Sequence, residues 1–348
     1  MTTNLLTYPR FLILFLRMKL LGLTARFPPL AGGVLDEQTA LMRRAQRVLG
    51  ETFLDQASVA EARRGFDLNF PLLKSIGGIF EKVDSIRDLA VPGPAGEIPC
   101  RLYRPDQESG HPVFVFLHGG GWVIGDLGTA DNMARYLCKH VHCVVLSVDY
   151  RLAPEHVFPA AAEDSFAAVE WAAAHAAELG GDPKRVLVGG DSAGGNLTAV
   201  AAQMAHDRGA PALAGQVLLY AATDGAHLDT PSYKEFGEQS LGLPTRDIVW
   251  FLERYAPNPK DRLNPLCSPL LRKDLHGLAP ALVVPAEFDV LRDEGEAYAK
   301  RMEEAGVKVK LMRCNGMVHG FLSSVGLIRR GVQYFEQIAA EVRRMAGE

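Results

Sequence analysis

A serine between two glycines, a histidine ahead of three glycines, and a late acid and histidine are the residues here whose types and spacing can do chemistry. Ser192 stands in Gly190-Asp191-Ser192-Ala193-Gly194, a G-x-S-x-G pattern. The aliphatic run Val186 to Val188 precedes it and the alanine-rich stretch Asn196 to Ala205 follows, so the serine falls on a strand-to-helix turn. Such a turn presents the hydroxyl at its tip and sets a helix N-terminus beside any negative charge that develops there. The small residues Gly190 and Gly194 let strand and helix approach closely. Directly after the apolar run Pro112 to Leu117 comes His118-Gly119-Gly120-Gly121-Trp122. Successive glycines at a strand's end leave backbone N–H groups unhindered and able to converge on an oxyanion. A phosphate loop does not fit, because no Gly-Lys-Ser/Thr pattern follows.

A serine nucleophile needs a base, and the base needs an orienting carboxylate. Of the residues after Ser192, His206, His227, His276 and His319 are the candidate bases. The first lies in the helix after the serine, and the next two lie in or beside an irregular region. Only His319 comes after a later strand, Val307 to Met312, in a loop that Gly316 and Gly320 let bend. It is the expected base. For the acid, the strand Ala281 to Pro285 leads into Glu287, Asp289 and Asp293. Asp289 is best placed at the strand's end, Glu287 is the alternative, and Asp293 falls on the next helix and serves its first turn. His118 is expected to organise the glycine loop by hydrogen bonding. Asp149 and Asp164 read as structural.

The elements that must position these groups alternate along the chain. Residues 34–80 read as an interrupted set of small helices: Asp36 caps one through Gln38, Leu41, Met42, Ala45 and Val48, a charged piece runs from Ser58 to Phe66, and Pro71 starts another. Val83 to Leu89 and Ile98 to Tyr103 alternate around the turn chemistry of Val91 to Gly96, which predicts a hairpin at a sheet edge. Pro112–Leu117, Cys143–Val148, Val186–Val188, Val217–Tyr220 and Ala281–Val284 are continuous apolar runs, as strands buried on both faces should be. Helical stretches, Ala160 to Leu179 and Asn196 to Asp207 among them, separate these runs. The fold class is therefore α/β, a mostly parallel sheet of about eight strands flanked by helices. Between Thr223 and Leu275 the alternation breaks, leaving prolines, aromatics and one helical pattern, Thr245 to Tyr255. The expected division is a helical cap segment (1–80), a first core part (81–222), a cap insertion (223–275) and a second core part (276–348), with a last helix from Val325 to Met345.

Composition narrows the partners. The 348 residues carry a formal net charge of −4, which gives no case for nucleic acid as a partner. Five scattered cysteines suit a reducing, cytoplasmic compartment better than a disulfide framework. The segment Phe11 to Leu23 is apolar but broken by Arg17 and Lys19, short of the roughly 20 residues that span a bilayer. No clear cleavage site follows it. It is expected to dock as a helix on the protein or on a second copy, making a homodimer contact; a membrane-surface helix and a targeting segment are the other readings. Cys138-Lys-His-Val-His-Cys143 has a spacing that fits no common structural zinc site.

Taken in order, HGGG, GDSAGG, D-x-L-R-D-E and H-G-F resemble the hormone-sensitive-lipase-like (bacterial family IV) esterases of the α/β-hydrolase fold. Tyr150-Arg-Leu-Ala-Pro-Glu-His156 and Phe158-Pro-Ala-Ala161 also look like that family. The resemblance runs from near residue 35 to the end. It implies Ser192 as nucleophile, Asp289 and His319 completing a triad, and oxyanion N–H groups from Gly120, Gly121 and Ala193. It also implies a cap made of the N-terminal helices and the insertion after Thr223. Val290 departs from the family, where proline is common after the acid, and residues 1–33 have no clear counterpart. The implied activity is hydrolysis of short- to medium-chain acyl esters of small molecules, without metal or organic cofactor. An amidase or deacetylase on the same triad is the alternative. A non-catalytic receptor, like the gibberellin receptors that resemble this family without the histidine, is disfavoured by His319.

Overall fold

The computed structural model describes residues 33–49, 54–65, 80–239 and 241–347. The apolar segment at 11–23 and the piece expected at Pro71 lie outside them. Helix α1 (Glu37–Leu49) starts where expected, because the Asp36 carboxylate accepts the N–H groups of Gln38 and Thr39 at 3.0 and 3.1 Å. A helical stretch over residues 59–65 opens on a reciprocal cap: Ser58 N–H donates to Glu61 Oε2 at 2.9 Å and Glu61 N–H to Ser58 Oγ at 3.3 Å.

The hairpin strands β1 (Ser85–Gly93) and β2 (Gly96–Arg104) follow, then β3 (His111–Leu117), α2 (Leu127–Leu137), β4 (Val144–Val148) and α3 (Ala160–Ala174). Next come β5 (Gly181–Asp191), α4 (Ala193–Arg208) and β6 (Gly215–Leu219). These strands, with β7 (Ala281–Val284) and β9 (Val309–Leu311), make an eight-stranded sheet in the order β1-β2-β4-β3-β5-β6-β7-β9. Its β1–β2 and β2–β4 pairs are antiparallel and the others parallel. Every residue of β3, β4, β6 and β7 is buried, which is why their sequences are apolar apart from His111, Ser147 and Gln216. The turn expected over Val91–Gly96 is tighter than its composition suggests. Val91, Pro92 and Gly93 continue β1, leaving Pro94 and Ala95 as the turn. Pro92 is tolerated because β1 is an edge strand.

Two further departures bear on the site. The expected strand Val307–Met312 is only β9, and a second strand, β10 (Cys314–Val318), follows it where a loop was expected. β10 pairs in parallel with β8 (Ala286–Phe288), with Val318 opposite Phe288. The last helix, α8, spans Arg329–Met345; Phe321–Leu327, at the expected helix start, forms 3₁₀ turns.

The irregular stretch after β6 carries α5 (Pro231–Phe236) and α6 (Thr245–Tyr255). α6 packs its aromatic face onto the glycine loop: Trp122 stacks on Tyr255 with ring centroids 4.4 Å apart. The N-terminal segment reaches the same place, since Leu54 N–H donates to Asp247 Oδ1 at 3.1 Å. Arg63 ties the 59–65 helix to the core through Val123 O at 2.9 Å, Ala153 O at 3.0 Å and both oxygens of Glu155. Among the described residues, no helix is long and apolar enough to cross a membrane.

Candidate active site

Strand register brings the two glycine motifs together. Leu117, the last residue of β3, pairs with Gly190 of β5, so the loop at His118–Trp122 and the turn at Ser192 leave the same end of the central strands side by side. The approach is too close for side chains: a Cβ on Gly194 would lie 1.9 Å from Leu117 O. Ser192 takes φ 55° and ψ −115°, a conformation that costs a residue bearing a Cβ and that the surrounding sheet and helix hold in place. Its backbone is held by Ser192 N–H to Leu219 O at 2.9 Å and Asn196 N–H to Ser192 O at 3.0 Å.

Because β8 and β10 are paired, the residues that follow them emerge together. These are Asp289 and His319. His319 Nε2 lies 2.9 Å from Ser192 Oγ, and His319 Nδ1 lies 2.8 Å from Asp289 Oδ2. The carboxylate can only accept, so Nδ1 carries the proton and donates it, while Nε2 is left to accept from the serine hydroxyl. Asp289 is buried, and its other oxygen accepts Leu291 N–H at 3.0 Å. Tyr220 packs its ring edge against His319 at 5.1 Å between centroids.

The other candidates go elsewhere. Glu287 Oε2 accepts Gly316 N–H at 2.6 Å, which anchors β10 rather than the imidazole. Asp293 sits in the first turn of α7 (Arg292–Glu304) and accepts Ser232 N–H at 2.7 Å. His227 pairs with Asp224 at 2.8 Å and His276 with Asp274 at 3.0 Å, while His206 lies in the last turn of α4. Asp164 clamps Arg151 with both oxygens, each at 2.8 Å.

The glycine loop is ordered from behind. Gly119 N–H donates to Asp191 Oδ1 at 2.8 Å, and burial raises the Asp191 carboxyl to about 6. His118 is buried, its Nδ1–H donating to Gly119 O at 2.7 Å, and burial lowers its imidazole to about 4, so it is neutral at pH 7. Tyr150 stacks on that imidazole at 4.3 Å and donates its hydroxyl to His118 O at 2.6 Å. Gly120 takes φ 119°, and a Cβ there would lie 2.0 Å from Ile124 O. No acceptor among the described residues takes up the N–H groups of Gly120, Gly121 or Ala193. All three residues line the cavity beside Ser192.

That cavity has a volume of about 380 Å³. Its walls are mostly apolar, from Leu54, Trp122, Ile124, Met133, Leu243, Ile248, Phe251 and Leu252. Three buried carboxylates, Asp191, Asp224 and Asp247, also border it, and none of the described lining residues is a lysine or arginine. Sequence reasoning missed Tyr150, Tyr220 and Asp224. Tyr150 was visible only as the start of a family-like segment, and Tyr220 only as the end of a strand.

Residues 114–323 match a family described as having the alpha/beta hydrolase fold. The chain belongs to that family. Within it, the match is to the hormone-sensitive-lipase-like branch. The carboxylic ester hydrolase LipN of Mycobacterium tuberculosis is 46% identical over 298 residues, covering 84% of this chain and 78% of LipN. An ethyl acetate hydrolase of Pseudomonas putida is 40% identical over 273 residues, covering 77% of this chain and 84% of that protein. Among solved structures, an esterase of Pyrobaculum calidifontis superposes with a TM-score of 0.83 at 40% identity, covering 86% of this chain and 97% of its own. In this α/β hydrolase the serine turn, the glycine loop and the paired ends of β8 and β10 all meet at one cavity.

Proposed function

We propose that this chain is a serine carboxylesterase acting on short- to medium-chain acyl esters through an acyl-enzyme intermediate. The observation that carries the reading is the unbroken hydrogen-bond line from Asp289 through His319 to Ser192, ending at the cavity floor. Ester hydrolysis is also the activity named for the relatives from Mycobacterium tuberculosis and Pseudomonas putida.

In this reading His319 Nε2 takes the hydroxyl proton as Ser192 Oγ attacks the ester carbonyl. Asp289 holds the imidazole in the tautomer that accepts at Nε2 and stabilises the imidazolium that forms. The carbonyl oxygen becomes an oxyanion facing the N–H groups of Gly120, Gly121 and Ala193, each worth about 10²–10³ in rate. Collapse expels the alcohol, to which His319 returns the proton. Water, deprotonated by His319, then attacks the acyl-enzyme, and the acid departs as Ser192 regains its proton. No step calls for a cofactor. The residues before 81 and those of 223–275 act as a cap over the cavity, a role supported by the contacts of Leu54 and α6 with its rim.

An apolar cavity of about 380 Å³ favours small to medium acyl groups. A p-nitrophenyl ester series from acetate to palmitate tests this, with Ser192→Ala as control. Turnover should peak at short to medium chains and vanish in the variant. Faster turnover of matched anilides than of esters would move the assignment to an amidase. All five cysteines are buried and outside any disulfide, which supports a reducing, cytoplasmic setting. We place the homodimer contact or a membrane-surface contact in residues 11–23; deletion of residues 1–30 followed by sedimentation tests the former.

A further inference from the structure

The strand that delivers His118 to the cavity begins, at its other end, with another histidine. His111 opens β3, and its side chain is only 7% exposed. Its Nε2 lies 2.8 Å from Asp106 Oδ1, while His142 Nε2 lies 3.1 Å from Asp106 Oδ2. The two imidazoles meet edge-on with centroids 5.0 Å apart. The donor atoms of all three residues lie within 4.8 Å of one another. They arrive from separate pieces of chain: the β2–β3 loop, the start of β3, and the π-helical turn Cys138–His142 that leads into β4.

We propose that Asp106, His111 and His142 form a binding site for one first-row divalent transition-metal ion of the zinc type. Two imidazoles and one carboxylate are a donor set that suits such ions and not magnesium or calcium, which prefer oxygen throughout. The spacing also fits. Ligands that share a zinc ion tetrahedrally at about 2.0–2.2 Å sit about 3.3–3.6 Å apart, and the N···O separations of 2.8 and 3.1 Å, each to its own oxygen of Asp106, reach that with a small side-chain shift. An ion would replace the protons that now lie between each imidazole and the carboxylate, with the backbone left in place. His111 supplies a rigid foundation, because β3 is paired on both sides, with β4 and β5. Asp106 is steadied by accepting Glu108 N–H at 2.7 Å through Oδ1. The side chains of His142 and Asp106 are 53% and 33% exposed, which leaves an open face for ion entry and for water ligands.

This site differs from the cysteine-containing cluster considered in the sequence. Cys138 and Cys143 are buried thiols outside the trio, and of that stretch only His142 joins it. The site lies at the opposite end of β3 from the cavity, a strand length of about 20 Å away. An ion there would pin three segments at the N-terminal edge of the parallel strands. Its effect belongs to stability and leaves ester turnover untouched.

Calorimetric titration of the full, untagged chain with zinc tests the assignment, with thermal unfolding followed in parallel. One ion per chain, a Tm raised by a few degrees at saturation, and affinity lowered about tenfold or more in both His142→Ala and Asp106→Asn are expected. Ester turnover of His142→Ala should equal that of the wild type. The proposal is overturned if the folded wild-type chain takes up no zinc below about 100 µM. It is equally overturned if both variants bind zinc as the wild type does, since the ion would then sit on other residues.

Discussion

At the scale of single residues, three acidic side chains crowd the segment after β7, and geometry gives each a different task. Asp289 meets the imidazole, Glu287 holds Gly316 N–H, and Asp293 holds Ser232 N–H. The consequences separate cleanly. Asp289→Asn should lower kcat by about 10⁴-fold while the fold is retained, because the amide no longer fixes the His319 tautomer. Glu287→Gln keeps an acceptor for Gly316 and should keep most of the activity. Steady-state kinetics on one p-nitrophenyl ester decides it, and the reverse pattern would make Glu287 the acid. Ser192 and His319 were legible in the sequence because glycines and flanking strands mark them. The work of Glu287 was not legible, since its partner is a backbone amide on a strand that the sequence does not announce.

At the scale of elements, the site depends on β10 and on the seam between the N-terminal segment and α6. β10 was missed because Asn315-Gly316 reads as a turn, and Gly316 does take φ 82°; the strand exists only through its pairing with β8. The central strands were legible, because burial on both faces writes an unbroken apolar run. The seam rests partly on Asp247, whose Oδ1 accepts Leu54 N–H and whose carboxyl burial raises to about 6. A carboxyl with a folded pKa above its unfolded value of 3.8 destabilises the fold as pH rises through that window. The cost is absent below the unfolded value and complete above about 6. Asp247→Asn keeps the acceptor and removes the titration. Its Tm relative to wild type should therefore be higher at pH 7 and equal near pH 3.5. A variant that loses stability at pH 7 would show instead that the ionised carboxylate holds the seam together.

At the scale of the whole molecule, the sheet sets out its chemistry at one end of the parallel strands, as open α/β folds do. The cavity formed there is mostly apolar, carries three carboxylates and, among the described residues, has no lysine or arginine on its wall. In a low-dielectric site such a field opposes a further negative charge. The chain should accordingly prefer neutral esters to anionic ones of the same length. Ethyl butyrate should exceed monoethyl succinate by about tenfold or more in kcat/KM, measured by acid release at pH 8. Equal turnover would mean that these carboxylates are screened from the substrate.

Ester hydrolysis by this chain requires acylation at Ser192 Oγ. Treatment with diethyl p-nitrophenyl phosphate, followed by intact-mass measurement and peptide mapping, tests that directly. One diethylphosphoryl group per chain is predicted, on Ser192, appearing in step with the loss of ester hydrolysis, with neither adduct nor activity in Ser192→Ala. Ester hydrolysis that survives in Ser192→Ala, or inactivation through an adduct on another residue, would contradict it.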